Sequence, residues 1–207
     1  SPASLRVRYA LGLFLALLGW LSLVVFLTWP LAANTSTHLA SVGSDTLYSI
    51  WALAWETHAM GTDPLRMFDA NIYHPALNSL AYGPSGFGAL VLFGPAFAAT
   101  SDPIFATNVL FLGGSTLTAW ATGLVVTRWT GSVAAGAVAG AAYLSSPWVL
   151  YEWVPHVPHY AMLMWLPLIA YMASSPSRRI RDALLLALMV ALQSAVELVY
   201  IAPVVFA

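Results

Sequence analysis

Residues 104–126 read IFATNVLFLGGSTLTAWATGLVV, a stretch without a single charged side chain. A helix of about 20 such residues spans the hydrocarbon core of a bilayer. This stretch therefore predicts a transmembrane helix, and it sets the expected fold class of the chain, an all-α membrane protein.

The composition of the whole chain agrees with that prediction. Hydrophobic residues make up 60% and charged residues only 7%, whereas a soluble domain carries about 25% charged residues. Because so few charges cannot cover a water-facing surface, most of the surface must face lipid. The formal net charge of −1 gives no indication of nucleic-acid binding. The absence of cysteine excludes disulfides, cysteine-ligated metals and a thiol nucleophile.

Four further apolar stretches complete a predicted helical bundle. We predict about five transmembrane helices, at residues 9–30, 104–127, 131–151, 159–174 and 183–206. A signal peptide is the competing interpretation of the first, but its apolar run exceeds the 7–15 residues typical of a signal-peptide core. We therefore favour a retained anchor. We expect residues 1–207 to form a single transmembrane domain that is the N-terminal part of a longer protein.

A long polar and aromatic loop, residues 33–103, separates the first two predicted spans. Capping residues predict a helix over residues 44–60, with an apolar face of Leu47, Ile50, Trp51, Ala54 and Trp55. We expect it to lie along the membrane surface. Residues 85–100 are apolar but short and broken by Gly94-Pro95, so we predict an interfacial or re-entrant segment there.

The arginines predict the topology, because cytoplasmic loops carry the excess of positive residues. The chain has no lysine. We place six arginines inside, namely Arg6, Arg8, Arg128, Arg178, Arg179 and Arg181. The N-terminus is then cytoplasmic and the long loop lies outside. All five histidines also lie outside, so polar chemistry is concentrated on the outer face.

Asp45 is a candidate for chemistry at the membrane surface. An acid in the first turn of a helix is favoured by the helix dipole, which is a structural explanation. A functional explanation is that the carboxylate binds a metal or takes a proton from an acceptor hydroxyl.

Two further candidate groups follow later in the chain. Glu152, His156 and His159 form a trio able to bind a divalent metal or orient a phosphate, although the intervening prolines prevent a regular helix. Glu197 lies roughly 22 Å along its helix from Arg181. An ionisable group at that depth is a functional-site hypothesis. It could equally lie near the outer end of a tilted helix, within reach of the external loop.

Several short motifs occur in an order that resembles polytopic GT-C-type membrane glycosyltransferases, in particular the bacterial branch related to YfhO-like membrane proteins. The motifs are Gly43-Ser44-Asp45-Thr46, Asp69-Ala70-Asn71-Ile72-Tyr73-His74-Pro75, Asp102-Pro103 with Asn108, Arg128-Trp129-Thr130-Gly131, Ser146-Pro147, His156, Trp165-Leu166-Pro167 and Gln193-Ser194. They cover nearly the whole chain.

The resemblance implies a GT-C fold that transfers a sugar from a polyprenyl-phosphate-type donor to an acceptor at the outer face of a bacterial inner membrane. It implies that Asp45, with Glu152, supplies catalytic carboxylates. Tyr73, His74 and His156 would line the donor or acceptor site. Apart from the resemblance, we also assign His159 and Glu197 to substrate binding, and Arg66, as the one external arginine, is a candidate to stabilise the leaving phosphate. The cofactor is unknown, with a divalent metal as one option. The expected partners are the bilayer and the lipid-linked donor.

Two other functions remain open. The chain could be a non-catalytic accessory or structural subunit of a larger membrane complex, for example an energy-transducing one, since fold and activity separate readily. Transport is less favoured, because Gln193 and Glu197 are almost the only polar groups within the predicted spans and no inverted repeat is visible.

Overall fold

The computed structural model describes residues 2–84, 86–174 and 179–197, with side chains from residue 11 onward. All regular secondary structure in this part of the chain is helical, which confirms the predicted all-α class. The helices are α1 (Pro2–Leu27), α2 (Ser44–Thr62), α3 (Leu90–Thr100), α4 (Pro103–Thr130), α5 (Val133–Leu144), α6 (Pro147–Leu150), α7 (Trp153–His156), α8 (Trp165–Ser174) and α9 (Ile180–Val196).

Helix α4 is the centre of the structure. It has 28 residues, which is about 42 Å, and α1, α3, α5 and α8 all pack against it. The Asp102 carboxylate begins the helix by accepting hydrogen bonds from the backbone N–H groups of Ile104 at 2.9 Å and Phe105 at 3.1 Å. Gly131 ends it with a left-handed φ of 69°, a conformation that suits glycine.

Small residues bring α1, α4 and α5 close together. A Cβ on Gly136 of α5 would collide with the Thr127 hydroxyl and the Gly123 carbonyl oxygen of α4. A Cβ on Gly140 would lie 2.6 Å from the Trp20 ring of α1. The Gly-x-x-x-Gly spacing in α5 therefore allows close helix packing.

The predicted span 131–151 is wrong as one continuous helix. Helix α5 ends at Leu144, and α6 begins at Pro147 after Ser146. Proline has no N–H to continue the preceding helix, and the Ser146 hydroxyl accepts a hydrogen bond from the Val149 N–H at 3.4 Å to begin the new one. Taken together, α5 and the segment formed by α6 and α7 bend by 47°.

The predicted span 159–174 is also shorter than expected. Helix α8 begins only at Trp165, and residues Pro158–Ala161 form a 3-10 turn that packs on α4. The predicted first span of 9–30 corresponds to α1, which ends at Leu27. The predicted last span of 183–206 begins earlier, at Ile180, and α9 ends at Val196; residues 198–207 lie outside the described part of the chain, as does Arg178.

The long loop holds two helices, as predicted, with altered details. Helix α2 buries Ser49, Ile50, Leu53 and Glu56, while Leu47 is 56% exposed. The buried face is therefore rotated from the predicted one. Helix α3 continues through Pro95, so the predicted break there is wrong. A 3-10 turn, Phe87–Ala89, leads directly into α3.

Length and composition mark one helix as a membrane-span candidate. Among the described residues, α4 is the one helix long and apolar enough to cross a bilayer by itself, and the bent α5–α7 segment passes as a second. The apolar helical stretches at 11–27, 87–100 and 165–174 are shorter. These helices are consistent with a membrane protein.

Candidate functional site

An open cavity of about 440 Å³ lies where the long loop meets the end of α9. Its walls come from three parts of the chain that are far apart in sequence. They are the loop residues 81–84 and Gly86, Tyr160 of the turn after α7, and Ser194 to Glu197 at the end of α9. We call this the α9 cavity. It combines backbone, aromatic and carboxylate groups in one concave surface, as small-molecule sites do.

A buried acid–base pair stands at the wall of the α9 cavity. The His159 Nε2 atom lies 3.6 Å from the Glu197 Oε2 atom, and their side chains are only 1% and 7% exposed. Glu197 lines the cavity, and His159 lies directly behind the wall, against Gly86. Neither ring nitrogen of His159 has a hydrogen-bond partner among the described residues. Such an arrangement places proton-accepting groups beside a space that a substrate can enter.

Thr118 of α4 holds the turn that carries His159. Its hydroxyl donates to the Ala161 carbonyl oxygen at 2.8 Å and accepts from the Leu163 N–H at 3.1 Å. Both contacts are buried. Gly114, one turn earlier, lets the turn approach closely, because a Cβ there would lie 2.9 Å from the Ala161 Cβ atom. The turn that carries His159 is therefore held against α4.

Close packing of the long loop on α9 fixes the position of Glu197. The Glu197 N–H donates to the Gln193 carbonyl oxygen at 2.9 Å, which makes Glu197 the C-cap of α9. A Cβ on Gly88 would lie 2.8 Å from the Val196 backbone nitrogen. The fully buried Gln193 side chain has no hydrogen-bond partner in the part of the chain that the structure describes.

Tyr48 and Glu56 of α2 belong to the same region and were missed by the sequence analysis. The Tyr48 hydroxyl oxygen lies 3.3 Å from the position of a Cβ on Gly83, which lines the α9 cavity. Burial raises the pKa of Tyr48, and the negative charge of the fully buried Glu56 raises it further. The sequence held a signal for Glu56. It follows the buried residues Leu53 and Ala52 by three and four positions, a spacing that places it on the same buried face of α2.

Glu152 and His156 lie at a separate place, near the start of α2. Gly43 lies close to His156, since a Cβ on Gly43 would lie 3.8 Å from the His156 Cδ2 atom. The His156 Nδ1 atom pairs with the Glu152 carbonyl oxygen. Asp45 accepts a hydrogen bond from the Ser44 hydroxyl at 3.3 Å. Asp45, Glu152 and His156 are exposed, and they do not line the α9 cavity.

The remaining predicted site residues lie on the surface of the long loop. The Arg66 Nε atom donates to the Asp69 Oδ2 atom at 3.1 Å, and the Asp69 Oδ1 atom accepts from the Asn78 N–H at 2.6 Å. The Asn78 N–H, and then Arg66, lower the pKa of Asp69. Asp69 thus organises its own loop. Tyr73 and His74 are exposed on that loop and do not line the cavity.

The groups that the cavity offers are suited to proton transfer. Within the described residues, no three His, Asp or Glu side chains are placed to share a metal ion.

Comparison of the chain with protein-family models, curated proteins and solved structures gives no match in any of the three. Function has to come from the chemistry of the site.

Proposed function

We propose that this protein is a polytopic membrane glycosyltransferase of GT-C-like organisation, which transfers a sugar from a polyprenyl-phosphate-type donor at the non-cytoplasmic face. The observation that carries this proposal is the buried His159–Glu197 pair at the wall of a 440 Å³ cavity. The order of motifs along the sequence supports the choice of reaction. The GT-C assignment itself rests on that resemblance.

In the proposed arrangement five segments cross a bacterial inner membrane, with the N-terminus in the cytoplasm and residues 33–103 outside. The length of α9 supports placing the cavity near the outer boundary. Its 17 residues rise about 25 Å, so Glu197 lies near the outer edge of a core about 30 Å thick. A lipid-linked donor presents its phosphate close to that boundary.

The short fourth segment also fits a crossing. Helix α8 has only 10 residues, or about 15 Å, and the preceding turn would complete the path. Irregular backbone is tolerated at membrane depth where it is buried in protein and its polar groups have partners. The Thr118 hydroxyl satisfies the Ala161 carbonyl and the Leu163 N–H in this way.

The proposed chemistry uses Glu197 as the base and His159 as its buried partner. As the acceptor hydroxyl attacks the anomeric carbon of the donor sugar, its proton passes to the Glu197 carboxylate. The bond between that carbon and the phosphate oxygen breaks, and the phosphate leaves with the electron pair. His159, 3.6 Å from Glu197, forms an ion pair with that carboxylate when its imidazole is protonated.

The experiment is a transfer assay on the purified protein in lipid nanodiscs, with a panel of labelled polyprenyl-phosphate sugars and mixed acceptors. Because a positioned acid or base contributes about 10²–10⁴-fold, we expect Glu197→Gln and His159→Asn to lower turnover at least a hundredfold. Asp182→Asn makes the same change in the exposed first turn of the same helix and should retain activity.

Two outcomes contradict this assignment in different ways. If Asp45→Asn and Glu152→Gln abolish transfer while Glu197→Gln does not, the catalytic carboxylates are the two that the motif resemblance implies. If the folded protein transfers none of the sugars, the transferase proposal fails.

The second candidate function is an accessory subunit of a membrane complex. It is favoured by the exposure of Asp45 and by the engagement of Arg66 with Asp69, which leave these two predicted site residues outside the cavity. Two results would together establish this function instead. The protein would co-purify with its partners in a fixed ratio, and its deletion would abolish assembly of the complex without removing any transfer reaction.

A further inference from the structure

A second cavity, of about 370 Å³, lies beside the outer end of α1. Trp29 and Tyr151 are among its most exposed lining residues, at 66% and 71%, and Asn34 and His38 contribute polar groups. Phe111 of α4 also lines it. It has no lining residue in common with the α9 cavity. We call it the α1 cavity.

The polar wall of the α1 cavity is anchored to α4. The side-chain amide of Asn108 donates two hydrogen bonds, to the Thr35 carbonyl oxygen at 2.8 Å and to the His38 carbonyl oxygen at 2.7 Å. Asn108 is itself only 1% exposed. The segment that carries Asn34 and His38 is therefore held in one position before any ligand arrives, which lowers the entropic cost of binding.

Local hydrogen bonds orient the two polar side chains. The Asn34 amide nitrogen donates to the Pro30 carbonyl oxygen at 3.0 Å, and the His38 Nδ1 atom pairs with the Thr37 hydroxyl at 2.9 Å. The Asn34 amide oxygen and the His38 Nε2 atom are then the groups presented to a ligand. One is an acceptor, and the other is a donor or an acceptor according to the tautomer.

The chemistry of the lining selects a class of ligand. None of the described residues that line the α1 cavity is Asp, Glu, Lys or Arg. A phosphate or other anion would therefore meet no opposite charge, and a purely apolar chain would leave the Asn34 and His38 groups unpaired at a cost. A saccharide has apolar C–H faces for aromatic rings and hydroxyls for neutral donors and acceptors.

We propose that the α1 cavity binds a neutral glycan. The proposal concerns binding alone and does not require the chain to be a transferase. In a transferase, the same cavity would hold part of an acceptor chain and keep it apart from the donor at the α9 cavity.

The test is a binding titration of neutral oligosaccharides, with glucose-, mannose- and N-acetylglucosamine-based chains as probes. The full chain is held in nanodiscs, because sugar-headed detergents would compete. We expect saturable binding by the native chain, weakened about tenfold, or 1.4 kcal/mol, in Tyr151→Ala and in His38→Ala. Tyr151→Phe should retain it. Trp129→Ala is the matched control, since Trp129 is 53% exposed near the opposite end of α4.

Exposed Trp and Tyr also form the aromatic belts of membrane proteins, and that explanation makes a different prediction. Under it, no oligosaccharide binds, or Trp129→Ala weakens binding as much as Tyr151→Ala does. Either result would overturn the proposal. A Tyr151→Ala variant that fails to fold is replaced by Ala40→Cys in this cysteine-free chain. Ala40 lines the same cavity and its replacement leaves Tyr151 and His38 in place, so a bound glycan should slow labelling by an impermeant maleimide at least severalfold. Unprotected labelling would also overturn it.

Discussion

Thr118 is the residue whose loss should most disturb the α9 cavity. Thr118→Val keeps the shape of the side chain but leaves the buried Ala161 carbonyl and Leu163 N–H without their partner. Each buried group left in that state costs about 1–3 kcal/mol, so we expect the free energy of unfolding to fall by about 2 kcal/mol or more. Denaturant titration in lipid or detergent measures this free energy of unfolding.

Thr122→Val is the matched control for this prediction. The Thr122 hydroxyl bonds to the Thr118 carbonyl oxygen of its own helix at 2.8 Å, and that carbonyl belongs to the helical backbone in any case. We expect Thr122→Val to lower the free energy of unfolding by much less than Thr118→Val does. Equal losses in the two variants would show that Thr118 does not anchor the turn.

Asp69 should make the long loop sensitive to acid. Its pKa is lowered in the folded protein by the Asn78 N–H and then by Arg66, so folding favours the ionised form. The stability it contributes is complete above its ordinary pKa, about 3.9, and is lost as the pH falls through the lower folded value. We expect acid protease cleavage of residues 66–80 to rise as the pH drops below about 4.

In Asp69→Asn that pH dependence should largely disappear, because the loop is loosened at every pH. Asp63→Asn, which alters an exposed acid with no side-chain capping bond, should behave like the native chain. A native pH profile in Asp69→Asn would contradict the assigned role.

At this scale the sequence named candidate groups but not where they lie relative to one another. Glu197 was a candidate because of its depth in an apolar helix, and a position within reach of the external loop was one of two alternatives. Arg66 was assigned to a phosphate because it is the one predicted external arginine, and the sequence does not show which acidic residue lies beside it. Its ion pair with Asp69 depends on a loop fold that no helical or strand period encodes.

Among the elements, the α4–α5 contact is the most sensitive to size. A methyl group added in Gly136→Ala would collide with the Gly123 carbonyl oxygen across the interface, and overpacking of this kind costs about 1–3 kcal/mol. We expect a lower unfolding temperature in lipid. Gly12→Ala is the control, since a Cβ there meets nothing within 4 Å and alanine favours a helix by about 1 kcal/mol. A stabilised Gly136→Ala would refute the close packing.

Elements with an unbroken apolar pattern were predicted well, and interrupted ones were not. Helix α4 was placed within a few residues, because capping by Asp102 and Gly131 coincides with the ends of its apolar run. Residues 131–151 are as apolar, but Ser146-Pro147 divides them, and hydropathy does not register a change of direction. The late start of α8 depends on the Thr118 contacts, which join residues 43 and 45 positions apart.

The topology of the whole molecule is open to a direct test, since the chain contains no cysteine. We expect a cysteine at Asn78, in the long loop, to react with an impermeant maleimide added outside intact cells. A cysteine at Ser132, between α4 and α5, should react only after the membrane is opened. The opposite pattern, or labelling of both from outside, would overturn the proposed arrangement of spans.

The turn between α4 and α5 also sets an order of events during synthesis. Only Gly131 and Ser132 separate these two helices, so they can pair before α9 has left the ribosome. The α9 cavity draws its walls from residues 81 to 197. A nascent chain therefore completes the α4–α5 pair before it completes the walls of the α9 cavity.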